Sequence, residues 1–165
     1  MPADDVDRIV SAWRRERPDL DVTPLEVLSR VSRLARRLDL ARGAAFAVHS
    51  LDGWEFDVLS ALRRAGAPYE LSPGQLVTQT LVTSGTMTNR VDRLAARGLV
   101  GRHPDPEDRR GVLVRLTPGG MTVVDSAMSD LLALEHELLA DLNPVERERL
   151  AAQLRALLQP FEAGS

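Results

Sequence analysis

Between Thr83 and Leu94 the chain reads Thr-Ser-Gly-Thr-Met-Thr-Asn-Arg-Val-Asp-Arg-Leu, a segment crowded with hydrogen-bond donors. Met87, Val91 and Leu94 recur at helical spacing and claim one face for a core. Ser84, Thr86, Thr88, Asn89, Arg90 and Arg93 are left to the other face. Hydroxyl, amide and guanidinium groups in a row on a helix suit base edges in a major groove and the phosphates beside it. Gly85 leaves room for close backbone approach, and a helix N-terminus favours a phosphate. A second basic feature follows in Pro104-Asp-Pro-Glu-Asp-Arg-Arg-Gly111, a polar turn between two short β-branched-rich segments, Leu99–His103 and Val112–Leu116. Two strands so joined predict a hairpin whose tip carries Arg109 and Arg110, and an arginine on a projecting loop can enter a narrow minor groove. Taken singly, a Ser/Thr-rich helix start serves capping and an Arg-bearing hairpin is a solvated turn. Their succession is what points to nucleic acid.

Several helices must hold these features. Thr23-Pro24, Ser72-Pro73, Thr117-Pro118 and Asn143-Pro144 each pair an N-cap residue with a proline suited to the first helical turn. Glu26, Gln75 and Glu146 add the third-position partner of a capping box. Val6, Ile9, Val10 and Trp13 stripe a short N-terminal helix that Pro18 ends, and Leu28, Val31, Leu34, Ala35 and Leu38 stripe a second that fades near Gly43. A third covers about 53–65, with Val58, Leu59 and Leu62 inward and Gly66 as its stop; Trp54 and Phe56 open it as core or dimer-facing residues. A short helix follows Ser72, the donor-rich helix runs from near Thr83 to Gly98, and two more helices cover about 118–140 and 144–158. Leu131, Leu134, Leu138 and Leu142 form a stripe suited to a dimer seam. Three helices, a short helix, a turn, a helix and a β-hairpin make the order of a winged helix-turn-helix. The fold class expected is mainly α, with 51–117 as the winged region and 1–50 and 118–165 as a helical dimerisation region of the same domain.

Composition narrows the function. The net charge of −3 is unpromising for a nucleic-acid partner until the chain is divided. Residues 83–116 are net +3, residues 117–165 net −5 and residues 1–82 net −1, and the local basic window matters more than the total. All 21 basic residues are arginine, whose planar fork fits phosphates and guanine edges. Absence of cysteine excludes disulfides and thiolate chemistry. His49, His103 and His136 are scattered without metal-ligand spacing, so no metal site is expected. No nucleophile–base pair or cofactor motif stands out, so neither an enzyme nor a cofactor is expected. No apolar run of 18 residues and no signal-peptide order appear, which makes no membrane association and a cytoplasmic location the expectation.

At this point the motifs resemble those of a known family. Ser84–Leu94 followed by Gly98-Leu-Val100 is similar to the recognition helix and exit of the multiple antibiotic resistance regulator (MarR) family. Asp105-Pro-Glu-Asp-Arg-Arg-Gly111 with Val-Leu-Val-Arg-Leu-Thr-Pro118 resembles that family's wing. The likeness implies a homodimer, its termini packed together, on pseudo-palindromic double-stranded DNA with half-sites about one helical turn apart. A narrower resemblance joins Val10–Leu20 and Glu55-Phe-Asp-Val-Leu59 to the urate-responsive subgroup of PecS-like and TamR-like regulators. It implies a ligand pocket bounded by Trp13, Asp57 and Arg90, and a repressor released by a small anion such as urate. The competing expectation is a winged-helix dimer that serves as a protein-interaction scaffold without ligand control.

Overall fold

The computed structural model describes residues 3–108 and 111–162. In chain order its elements are α1 (Asp5–Glu16), α2 (Thr23–Ala47), α3 (Gly53–Arg64), β1 (Glu70–Leu71), α4 (Pro73–Thr80), α5 (Ser84–Ala96), β2 (Val100–Pro104), β3 (Val112–Leu116), α6 (Pro118–Leu138) and α7 (Pro144–Glu162). They fall into two compact units, Met1–Gly53 and Trp54–Ser165.

Side-chain caps set most helix starts. Ser72 Oγ accepts from the Gln75 backbone N–H at 3.2 Å while Gln75 Oε1 accepts from Ser72 N–H at 2.8 Å. Asn143 and Glu146 make the same reciprocal pair ahead of α7, and Thr117 Oγ1 accepts from Gly120 N–H at the start of α6. A box that the spacing did not reveal opens α1, where Asp4 and Asp7 exchange backbone and carboxylate. Thr23 departs from expectation. It is the first helical residue rather than the cap, because Asp21 Oδ1 takes both its N–H and its hydroxyl, at 3.0 and 2.7 Å. Glu26 then turns to Arg14, at 2.6 Å, instead of closing a box. Two helices are longer than their stripes suggest. Gly43 sits inside α2, a tolerated helix-interior glycine that costs propensity without stopping the helix. Helix α7 continues through Pro160 to Glu162.

In the first unit Val6, Val10 and Val22 form a small buried cluster with Leu25 against it. Arg30 of α2 grips Asp4 at 2.8 Å and Asp7 at 2.7 Å on α1, and this pairing holds the Asp4 carboxyl down to about 2. In the second unit Val58, Leu59 and Leu62 of α3 are buried, as are Leu76, Met87 and Leu94. The sheet is antiparallel with order β1-β3-β2, so the expected hairpin gains a third strand. Strand β1 is two residues long, too short for any alternation to show; Glu70 stands opposite Arg115 and accepts from its Nε at 2.8 Å. Val100 pairs with Leu116 and Pro104 with Val112 across the β2–β3 ladder. Where the hairpin passes into α6, a Cβ at Gly120 would lie 2.0 Å from the Leu99 carbonyl oxygen, so only glycine permits this approach. Among the described residues no helix is long and apolar enough to cross a membrane.

Candidate nucleic-acid interface

Helix α4 ends in a left-handed residue, Leu81 at φ 54°, and the chain turns sharply into α5. Thr83 caps α5 through Thr86 N–H at 3.3 Å. Met87, Val91 and Leu94 are all buried, which fixes the rotation of α5 about its own axis. The opposite face is consequently open: Ser84, Thr86, Thr88, Asn89 and Arg93 are exposed and Arg90 is half-buried. The hydroxyls divide by use. Thr86 Oγ1 shares a hydrogen bond with Thr83 Oγ1 at 2.9 Å, and Thr88 Oγ1 donates to the Ser84 carbonyl at 3.1 Å. The Ser84 hydroxyl and the Asn89 amide have no partner among the described residues, so both are ready for an incoming acceptor or donor. Nothing lies within 4 Å of the Cβ position of Gly85, which opens that turn of α5 to close approach.

The first turn of α3 supports the same helix. Trp54 lies under two guanidiniums, with Arg93 Cζ 4.8 Å and Arg90 Cζ 5.3 Å from the ring centroid. Trp54, Gly85, Thr86, Asn89, Arg90 and Arg93 line one shallow depression. Next to Trp54, the carboxylate of Glu55 accepts from Arg97 at 2.6 Å while Glu55 itself is only 3% exposed. Neither role was legible beforehand: a Trp-Glu pair at a helix start reads as core and solvent. The signal available was the arginine stripe at 90, 93 and 97, which needs partners on whatever element packs beside it.

Of the three residues of the expected ligand site, Asp57 and Arg90 belong to the second unit and Trp13 to the first. Asp57 is exposed, and among the described residues no ion pair joins it to Arg90, which rests on Trp54 instead. Trp13 belongs to the first unit, where it is 47% exposed and lines a depression with Ile9, Ala12 and Glu16. On the wing, the Asp105 N–H donates to the Gly111 carbonyl at 3.0 Å and the Gly111 N–H to the Asp108 carbonyl at 2.8 Å, closing the turn at its base. Arg109 and Arg110, the expected wing-tip cations, lie outside the described residues. Arg102 of β2 reaches back to Asp92 of α5 at 2.6 Å, tying wing to helix.

Comparison with known proteins agrees with this geometry. The model for the MarR family matches residues 49–111, which span α3 to the wing. Over 150 residues the chain is 38% identical to the HTH-type transcriptional regulator PecS of Dickeya dadantii, covering 91% of this chain and 90% of that protein. It is 33% identical to the HTH-type transcriptional repressor NicR of Pseudomonas putida, covering 87% and 91%. A solved structure of a mutant MarR from E. coli complexed with operator DNA superposes with a TM-score of 0.69 at 28% identity, covering 84% of this chain and 99% of that one. The chain belongs to the MarR family of winged helix-turn-helix transcriptional regulators. These relatives are regulators rather than enzymes.

Proposed function

We propose that the protein is a homodimeric repressor that binds a pseudo-palindromic DNA operator and is released by a small anion such as urate. One observation carries the DNA reading. The buried trio Met87, Val91 and Leu94 orients α5 so that Ser84, Thr86, Thr88, Asn89, Arg90 and Arg93 share its open side. Asn89 is suited to an adenine edge, and Arg90 and Arg93 to guanine or phosphate. Arg109 and Arg110 add minor-groove and phosphate contacts from the wing. The likeness to a MarR protein solved with operator DNA supports the same mode.

Dimerisation falls to 1–50 and 118–165. Helix α7 buries none of its residues in the single chain, and Leu154, Leu157, Leu158 and Phe161 stand 37–78% exposed. A second copy is what a palindromic site requires. The resemblance assigns ligand control to Trp13, Asp57 and Arg90, whose side chains have the chemistry of a stacking surface, a polar partner and a cation. Because Arg90 also serves DNA, an anion that takes it competes with the operator through one side chain.

The test is a duplex selected from a random-sequence pool by the wild-type protein. Several phosphate contacts predict a steep fall in affinity, about a thousandfold between 50 and 200 mM salt. Asn89→Ala is expected to relax preference at one base position, and urate is expected to dissolve the complex. Failure to select any duplex favours the scaffold function instead. Selection with indifference to urate, xanthine and aconitate removes the proposed ligand class and leaves the DNA function standing.

A further inference from the structure

Arg90, Arg93 and Arg97 stand at i, i+3 and i+7 on α5, and all three meet the first turn of α3. Their partners there are of two kinds. Arg97 donates to Glu55 at 2.6 Å, a carboxylate so buried that it must have a cation. That guanidinium is committed to holding the end of α5. Arg90 and Arg93 share the indole of Trp54 instead. An aromatic face attracts a cation through its quadrupole without cancelling its charge. Arg90 has no carboxylate partner among the described residues, so its charge remains available to an anion.

We propose that Trp54 is a positioning residue for DNA binding: its indole gathers Arg90 and Arg93 on one side of α5 while keeping the charge of Arg90 available for phosphate or base. This rests on α5 being the DNA-contacting helix. Two long cations one turn apart repel and lose rotamer freedom when they bind. A shared ring meets both costs before DNA arrives, which is preorganisation. A carboxylate at position 54 would hold Arg90 equally well and leave less of its charge for the operator.

A double-mutant cycle on the selected duplex tests this, with every variant measured at low salt so that weak complexes stay measurable. Trp54→Leu is expected to weaken binding about tenfold in the wild-type background and by less than about twofold in an Arg90→Ala, Arg93→Ala background. Trp54→Phe keeps a ring and is expected to stay within about threefold of wild type, and that deficit too should vanish without the arginines. Equal losses in both backgrounds, or Trp54→Phe binding as weakly as Trp54→Leu, would overturn the proposal by showing that Trp54 acts through packing. Should Trp54→Leu fail to fold, coupling of the Trp54→Phe deficit to the arginines decides alone. If the Arg90→Ala, Arg93→Ala protein binds like wild type, the assignment of α5 falls and this proposal with it; if only the coupling is missing, α5 stands and Trp54 does not.

Discussion

The winged region and the long terminal helices treat their apolar residues in opposite ways. From α3 to β3 the stripes close on one another: Val58, Leu59, Leu62, Leu76, Met87, Leu94 and Val114 are all completely buried. Along α2 and α7 the stripes are equally regular but open, with Leu28 54%, Leu34 53%, Leu157 49% and Phe161 78% exposed. The first region completes its core within one chain. Among the described residues the second leaves the apolar content of a core exposed, the condition expected of helices that associate. Periodicity alone reads both regions as amphipathic helices. It does not say whether the other half of the core belongs to the same chain.

That contrast can be broken by mutation, and the largest effect is expected in the closed region. Leu94→Ala should cost about 3 kcal/mol in chemical denaturation, since a completely buried leucine leaves a cavity with little room to relax. A loss below about 1 kcal/mol would mean that α5 is not locked as described. In the open region, Leu157→Glu on α7 should leave the secondary structure of the chain intact and weaken self-association about thirtyfold, roughly 2 kcal/mol of buried-charge cost, in sedimentation equilibrium. An unchanged oligomer would move the seam away from α7. The smallest effect concerns the α1–α2 clamp. Because Arg30 holds the Asp4 carboxyl at about 2, below its usual 3.8, the clamp contributes fully above 3.8 and is lost as pH falls to about 2. Following the Val6 and Val10 methyl resonances should show a step in that window, and Asp4→Asn should abolish it.

Much of the winged region was legible because its signals are local. Ser72 with Gln75, Thr83 ahead of Met87, and Gly98 with φ 70° after α5 each act within a few residues. The donor row of α5 follows directly from where Met87, Val91 and Leu94 point. What stayed hidden depends on partners distant in sequence. Strand β1 exists because Glu70 and Leu71 find Arg115 and Val114 across the sheet, not because two residues carry a pattern. Thr23 is engaged by an Asx-type bond to Asp21 that competes with the expected cap, and Val22 takes the N-cap position of α2. Trp54 and Glu55 became supports of α5 only through contacts with residues some forty positions away.

The two cations on Trp54 have a practical consequence. Indole fluorescence responds to charge close to the ring, and this chain contains only two tryptophans, Trp13 and Trp54. Any event that lifts Arg90 or Arg93 from the Trp54 ring should therefore alter the colour or yield of the protein's ultraviolet emission. The regulator carries an optical gauge of Arg90 and Arg93, readable without a dye or a label.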